Sequence, residues 1–182
     1  IDNITVIPQF TFAKCSNLKK VTIGDTVQNI MSGAFWRTAI EEIVIPDTVK
    51  EMGEYWYAEY SNAPADRAFS YYSNSGRVFA QCKSLRKVVI GNGVVNIPAS
   101  MFEECTNLEE VIFASDAELQ TIKDDVFFGD TALKTISIPA SVEAIGVNVF
   151  RECTALESAD LTKAVKLTAI NSSTFYGDTA LK

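Results

Sequence analysis

Residues Ile97 to Phe113 read IPASMFEECTNLEEVIF and contain the unit from which the rest of the chain is built. After Ile97, the positions that define this unit are filled by Phe102, Cys105, Leu108, Val111 and Phe113. The same residue types return at nearly the same spacing along almost the whole chain. Because self-similarity at a regular period is the signature of repeat architectures, the sequence predicts a repeat protein.

The first half of the unit, an isoleucine followed five positions later by a phenylalanine, occurs six times in unbroken form. The pairs are Ile7/Phe12, Ile30/Phe35, Ile97/Phe102, Ile122/Phe127, Ile145/Phe150 and Ile170/Phe175. A seventh copy is split, with Met52 in the isoleucine position and Phe79 in the phenylalanine position. Successive phenylalanines of this set are 23, 44, 23, 25, 23 and 25 residues apart, a period typical of leucine-rich repeats.

The second half of the unit predicts a short parallel strand. It has the form Leu-x-x-Val-x-Ile, and its last two apolar residues alternate with an outward position, as in a strand with one buried face. Copies begin at Leu18, Ile40, Leu85, Leu108, Leu133 and Leu156. A second apolar pair, such as Val94 and Ile97, predicts a short segment that closes the coil. The Phe-x-x-Cys stretch is then expected to turn back as a helical or 3-10 turn.

A single coil of about 23 residues cannot cover its own large apolar side chains. Coils stacked at the strand spacing of about 4.8 Å place like residues on like, so we expect buried columns with phenylalanine as the largest. Cys15, Cys82, Cys105 and Cys153 share one position of the unit. They form no Cys-x-x-Cys pair and their side chains should point in parallel, so the sequence predicts four buried, reduced thiols.

The unit resembles that of the BspA-like leucine-rich repeat family, I-G-x-x-A-F-x-x-C-x-x-L-x-x-V-x-I-P-x-x-V. The match is closest at Ile145-Gly146, Ala34-Phe35, Phe102-x-x-Cys105-x-x-Leu108 and Ile136-x-Ile138-Pro139-x-x-Val142. The resemblance covers nearly the whole chain apart from one insert. It implies a right-handed solenoid on an exported or surface-attached bacterial protein, usually one that acts in adhesion, and it implies no catalytic residues.

The predicted fold is a β-dominated leucine-rich-repeat solenoid of parallel coils of about 23 residues. We expect residues 1–182 to form one array of about seven coils, incomplete at both ends because neither end carries a polar capping repeat. An insert at residues 53–77 interrupts the third coil between Met52 and Phe79. It contains no Leu, Ile or Val, so an additional coil cannot be built from it.

The insert is instead rich in aromatic residues among small polar ones. Its candidate binding residues are Tyr55, Trp56, Tyr57, Tyr60, Tyr71 and Tyr72. Tyrosine and tryptophan give binding loops a large contact area at a low entropic cost, and a long loop in a compact domain is usually functional or disordered. Two interpretations stay open: the rings bind a partner, or they fold back as a flap over the side of the solenoid.

The predicted sheet surface carries a second candidate site. The first variable position of the Leu-x-x-Val-x-Ile copies alternates in charge, as Lys19, Glu41, Arg86, Glu109, Lys134 and Glu157. Opposite charges on neighbouring strands attract modestly and disfavour a register shift. The outward strand position is apolar in three consecutive copies, at Val44, Val89 and Ile112. Such a strip is typical of contact sites, although strands favour β-branched residues whatever their exposure.

The composition excludes several functions. A net charge of −7 argues against nucleic acid and anionic membranes as partners, and no apolar run approaches the roughly 18 residues of a membrane span. The chain has no histidine, no calcium-binding loop and no G-x-S-x-G motif. We therefore predict no catalytic residues, no cofactor and no metal site. The segment that begins at Ile1 has no targeting signal of its own.

The leading hypothesis is a non-catalytic binding or adhesion module, extracellular or attached to the cell surface. Its partner would be a protein or glycan of a host or a neighbouring cell, recognised through the sheet face, the aromatic insert or both. The alternative is a structural spacer, a stiff rod that displays other domains of a longer surface protein. The spacer hypothesis predicts a surface without apolar or aromatic patches, whereas the apolar strip and the aromatic insert favour binding.

Overall fold

The computed structural model describes residues 3–53 and 76–182. Within these ranges the chain forms eleven short β-strands and no helix. The strands are β1 (Val6–Ile7), β2 (Asn29–Ile30), β3 (Glu42–Ile45), β4 (Glu51–Met52), β5 (Lys87–Ile90), β6 (Asn96–Ile97), β7 (Glu110–Phe113), β8 (Thr121–Ile122), β9 (Thr135–Ser137), β10 (Ala144–Ile145) and β11 (Ser158–Asp160). The strands pair in parallel, as expected of coils wound in one direction, so the predicted parallel solenoid is confirmed.

Longer and shorter strands stack in separate sheets. Strands β3, β5 and β7 form the main sheet, which β9 and β11 follow as a two-stranded sheet. The short closing strands form two further sheets, β1-β2-β4 and β6-β8-β10. Ile43 lies opposite Val88, and Val88 lies opposite Val111, so the main sheet is continuous on both sides of the insert.

The first copy of the predicted strand, at residues 18–23, is not a strand. The Glu41 N–H does donate to the Lys19 carbonyl (3.2 Å), but no regular ladder follows it in the described part of the coil. Val21 is only partly buried, because its coil has a neighbour on one side alone. The strand prediction is therefore wrong for this copy, since strands of this length depend on pairing with neighbours.

A ladder of stacked phenylalanine rings forms the centre of the core. Its members are Phe12, Phe35, Phe79, Phe102, Phe127, Phe150 and Phe175. Successive ring centroids lie 5.1–5.8 Å apart, and the ring planes differ by only 3–12°. The step from Phe35 to Phe79 crosses the insert, yet its centroid distance is 5.1 Å. The insert therefore does not separate the coils on either side of it.

The turn around each ladder phenylalanine is a run of β-turns and not the helical or 3-10 turn that the sequence predicted. Around Phe35, the Trp36 N–H bonds the Gly33 carbonyl within the turn (3.0 Å). The Phe35 N–H instead bonds the carbonyl of Val78 in the next coil (2.9 Å). Alternate N–H groups thus bond within the turn and between coils, whereas a helix would direct all of them along its own axis.

A backbone feature explains why these turns do not become helices. The residues two before and two after each ladder phenylalanine have positive φ, such as Gly33 (62°) and Arg37 (56°) beside Phe35. The preceding positions are Phe10, Gly33, Arg77, Ser100, Asp125, Asn148 and Ser173. The following positions are Lys14, Arg37, Gln81, Glu104, Gly129, Glu152 and Gly177. A left-handed residue at every fourth position interrupts a right-handed helix before it can form one full turn.

Three of the four cysteines lie in the core. Cys82, Cys105 and Cys153 are fully buried, and each thiol donates to the carbonyl of the ladder phenylalanine in the preceding coil. The sulfur–oxygen distances are 3.1–3.2 Å. The four cysteines are free, in agreement with the prediction of reduced thiols. The prediction of burial is wrong for Cys15, which is exposed because no coil among the described residues covers that side of its turn.

Candidate binding surface

The apolar strip predicted from the sequence lies on adjacent strands of the main sheet. Val44 on β3, Val89 on β5 and Ile112 on β7 are directly opposite one another in register. The Val44 side chain is 59% exposed, and the other two are partly exposed. The equivalent positions on either side are polar and exposed, at Thr22 and Ser137. The strip is therefore a short apolar surface with polar borders, continuous across three strands.

Ion pairs between strands accompany the strip. Lys87 Nζ on β5 lies 2.8 Å from Glu110 Oε2 on β7, and the Glu110 carboxylate raises the pKa of Lys87. Further pairs join Arg86 to Glu42 (3.9 Å) and Lys19 to Glu41 (3.7 Å). These groups are well exposed, so each pair stabilises the fold only slightly. Because opposite charges neutralise one another here, the strip borders a surface without a dominant charge.

The two ends of the insert meet at adjacent positions of the coil. The Gly53 N–H donates to the Ile30 carbonyl (2.8 Å), and the Gly76 carbonyl accepts from the Gly33 N–H (3.1 Å). Equivalent hydrogen bonds join the other coils at these two positions. Gly53 and Gly76 therefore hold consecutive places in the repeat, although 22 residues stand between them in the sequence. The chain leaves the coil and returns to it at one point.

Glycine is required at this point by the packing. Gly53 has φ +73°, and a Cβ atom added to it would lie 2.6 Å from both the Gly76 Cα and the Pro98 Cβ. A Cβ atom added to Gly76 would overlap the Pro98 ring. Next to Gly76, the Arg77 guanidinium pairs with Glu103 (3.2 Å) in the following coil. Burial raises the pKa of Glu103, although Arg77 lowers it.

The aromatic candidates of the insert lie outside the described residues. They are Tyr55, Trp56, Tyr57, Tyr60, Tyr71 and Tyr72. Their part in binding stays a prediction, as does the extent of the insert at residues 53–77. The structure shows where the insert joins the coil. This root, Gly53 and Gly76, lies between the closing strand β4 and the turn that carries Phe79.

Sequence analysis missed a polar row on the side of the phenylalanine turns. Arg37 Nε donates to Gln81 Oε1 (2.5 Å), and Gln81 Nε2 donates to Glu104 Oε2 (3.0 Å). With Lys83 these residues line a shallow groove of about 300 Å³. The Arg37 guanidinium also lies over the Trp36 ring, 4.5 Å from its centroid. Arg37, Gln81 and Glu104 all stand two positions after a ladder phenylalanine. The repeat unit leaves this position variable, and its polar residues were the only sign of the row in the sequence.

The residues that the structure describes contain neither a cluster of metal-ligating side chains nor a membrane-spanning helix. Among residues 3–53 and 76–182, no three His, Cys, Asp or Glu side chains come together as a metal site. No helix in the described part of the chain is long and apolar enough to cross a membrane. The candidate binding surface on the described part of the sheet is the strip with its bordering ion pairs.

The parallel coils, the phenylalanine ladder and the Phe-x-x-Cys turns define a leucine-rich-repeat solenoid. The chain belongs to the BspA type leucine rich repeat family, whose region matches residues 1–65 and 73–182 in six copies. Leucine-rich repeat families of this type are generally non-enzymatic. The family resemblance drawn from the sequence is thus confirmed.

Two solved structures show the same fold. A leucine-rich repeat protein from Bacteroides ovatus is 26% identical, with a TM-score of 0.67; the alignment covers 99% of this chain and 46% of that one. The leucine-rich repeat protein of T. pallidum is 18% identical, with a TM-score of 0.59, and the alignment covers 93% of this chain and 79% of that one. The chain therefore spans less than half of the Bacteroides ovatus protein. No curated protein sequence matches it.

Proposed function

We propose that this chain is a non-catalytic binding module of an extracellular or cell-surface bacterial protein. The observation that carries the proposal is the alignment of Val44, Val89 and Ile112 on the outer face of three paired strands. An apolar side chain that stays 59% exposed, as Val44 does, gains favourable free energy when a partner removes it from water. The partner is a protein or glycan of a host or neighbouring cell.

The aromatic insert is proposed as a second contact element. Its root leaves the coil after β4, whereas the strip lies on β3, β5 and β7, so the two surfaces can be altered independently. The close contact of Gly53, Gly76 and Pro98 supports this assignment, because a loop with a tightly packed root loses less entropy on binding than one with a loose root.

The alternative function, a structural spacer, also has an observation in its favour. The ring ladder runs without interruption from Phe12 to Phe175, and backbone hydrogen bonds join the coils on both sides of the insert. Continuous stacking of this kind resists bending between coils. A spacer would nevertheless need neither the apolar strip nor the aromatic insert, so we place it second.

Binding to cells tests the proposal and separates the two functions. The fluorescently labelled chain is incubated with cultured epithelial cells and with bacterial cells, and retention is measured by flow cytometry. We expect the triple variant Val44→Thr, Val89→Thr and Ile112→Thr to lose at least about tenfold in retention. Threonine is β-branched and keeps the strand preference of valine and isoleucine, so folding should not change. The matched control is Ser137→Thr, at the same position on β9.

The insert is tested in the same assay with Trp56→Ala and Tyr57→Ala, and with a chain that lacks residues 54–75. Retention that protease treatment of the cells removes indicates a protein partner, and retention that glycosidases remove indicates a glycan. If the wild-type chain is not retained by either cell type, the binding function is contradicted and the spacer function is favoured. If the wild type is retained and all variants are retained equally, the strip and the insert are not the contact surfaces.

A further inference from the structure

Two coils carry an aspartate at the buried position that holds a thiol in the central copies. Asp130 and Asp178 stand three residues after their ladder phenylalanines, as Cys105 and Cys153 do. Asp130 is fully buried, and its Oδ1 accepts the Cys105 N–H at 2.8 Å. Asp178, which is partly buried, accepts the Cys153 N–H at 2.8 Å in the same way. One oxygen of each carboxyl group thus has a partner.

The second oxygen of each carboxyl group has none. In the described part of the chain, Oδ2 of Asp130 and Oδ2 of Asp178 are inaccessible to water and have no hydrogen-bond partner. Neither carboxyl group takes part in an ion pair found among the described residues. An ionised carboxylate that is buried without a charge partner or full hydrogen bonding is costly. A carboxylic acid, in contrast, has a proton on that oxygen and can act as a donor.

The neighbouring coils show which acceptor such a proton would meet. Each buried thiol donates to the ladder carbonyl of the preceding coil, as Cys105 Sγ does to the Phe79 carbonyl (3.2 Å). By the repeat, the equivalent acceptor is the Phe102 carbonyl for Asp130 and the Phe150 carbonyl for Asp178. A protonated Oδ2 can therefore make the hydrogen bond that the thiol makes in other coils, while Oδ1 keeps its bond to the N–H.

The charges that face these groups also favour the neutral form. Around Asp130 stand Glu103, Cys105 and Cys153, none of which is positively charged. Burial raises the pKa of Asp130 well above its usual range, and Glu103 adds to this, against the hydrogen bond from the Cys105 N–H. Burial raises the pKa of Asp178 to about 6, against the hydrogen bond from the Cys153 N–H.

We propose that Asp130 and Asp178 keep the carboxylic acid form in the folded protein at pH values where an unfolded aspartate is ionised, each donating its proton to the carbonyl of the preceding coil, and that together they make the later coils more stable as the pH falls. The proposal is independent of the binding function. It assigns to these two positions a pH-sensitive element that the thiol coils lack, because a thiol is already uncharged at neutral pH and burial raises the pKa of Cys82 further.

The direction of the pH dependence follows from proton linkage. An unfolded aspartate has a pKa of about 3.9, so the folded chain binds protons that the unfolded chain has released. The stabilisation is complete below the unfolded pKa and is lost as the pH rises through the folded pKa. For Asp178 this window ends at about 6. The contribution of Asp130, whose pKa burial raises well above its usual range, is lost in the same direction as the pH rises.

Thermal unfolding between pH 4 and pH 8 tests the proposal. We expect the wild-type Tm to fall by about 3–5 °C per pH unit for each acid inside its window. Asp178→Asn and Asp130→Asn should each flatten the profile between the unfolded pKa and the folded pKa of the aspartate that is replaced, a range that ends at about pH 6 for Asp178. Asparagine keeps the accepting oxygen and supplies an N–H donor for the carbonyl, so both variants should match the wild type at pH 4. The exposed Asp116→Asn is the matched control.

A second measurement observes the protons directly. Carbon-detected NMR of the wild-type chain should place the titration midpoint of the Asp178 carboxyl near 6 and that of Asp130 well above the usual range of an aspartate. If Asp130→Asn does not fold, Asp130→Cys, which restores the residue of the neighbouring coils, replaces it in the thermal series. Ordinary midpoints near 4 for both carboxyls, or an unchanged wild-type slope in both asparagine variants, would overturn the proposal.

Discussion

The coil at Phe102 and the coil at Phe12 share the motif Phe-x-x-Cys-x-x-Leu but differ in what surrounds it. In the central coil, Phe102 and Cys105 are fully buried. In the first coil, Phe12 is only partly buried, and Cys15 is exposed. The motif is the same, so the difference comes from the neighbours: the burial of a repeat residue is a property of the stack and not of its own coil.

Hydrogen bonds between coils show the same contrast. The Phe102 N–H bonds Val126 in the following coil (3.0 Å), and the Met101 carbonyl accepts from Phe79 in the preceding one (2.9 Å). The Phe12 N–H bonds Ala34 (2.8 Å), and no coil of the described chain packs against its other side. A central coil therefore has two stabilising interfaces, whereas the first coil has one. Mutations of equal chemistry should thus cost more in the centre.

The largest expected effect is on the ring ladder. Phe102→Ala should lower the free energy of unfolding by about 3–5 kcal/mol, because the cavity lies between two rings that cannot close it. Phe175→Ala should cost much less, because this ring is partly exposed and stacks on one side only. Urea unfolding of both variants measures the difference. Equal losses would show that the neighbouring coils do not control burial.

The thiols provide an intermediate test of the same comparison. Cys105→Ala should cost about 1 kcal/mol through its lost hydrogen bond and the small cavity, whereas Cys15→Ala should be nearly neutral. Burial also raises the pKa of Cys105 well above its usual range, so its thiolate does not form near neutral pH. A thiol reagent should therefore modify one cysteine in the native chain and four after unfolding without reductant. If the reagent modifies more than one cysteine in the native chain, the central thiols are accessible to it and the central coils are not closely packed.

The smallest expected effect is that of removing the insert. Deletion of residues 54–75 joins Gly53 to Gly76 and restores the five-residue spacing between Met52 and Phe79 found in the other coils. Unfolding free energy should change by less than about 1 kcal/mol, because both ends already make the hydrogen bonds of the repeat and a long loop only adds closure entropy. Thermal and urea unfolding check this. A chain that no longer folds would show that the aromatic residues belong to the core.

The sequence alone determined the architecture and most of the core. The period predicted stacked parallel coils, and the recurring phenylalanine predicted the ring ladder, because side chains at equivalent positions must meet when identical coils stack. The outward position of the strands also predicted the alignment of Val44, Val89 and Ile112, since residues in register on parallel strands lie side by side. These features depend only on periodicity, which a single sequence contains in full.

The tertiary structure decided what depends on contacts between coils. It exposed Cys15, left residues 18–23 without a strand and replaced the predicted helical turns by β-turns with inter-coil hydrogen bonds. It also brought Gly53 next to Gly76 and enclosed Asp130 between two thiol coils. The first coil and the central coil have the same Phe-x-x-Cys-x-x-Leu motif. Its residues become buried and fully hydrogen-bonded only where a neighbouring coil packs on each side.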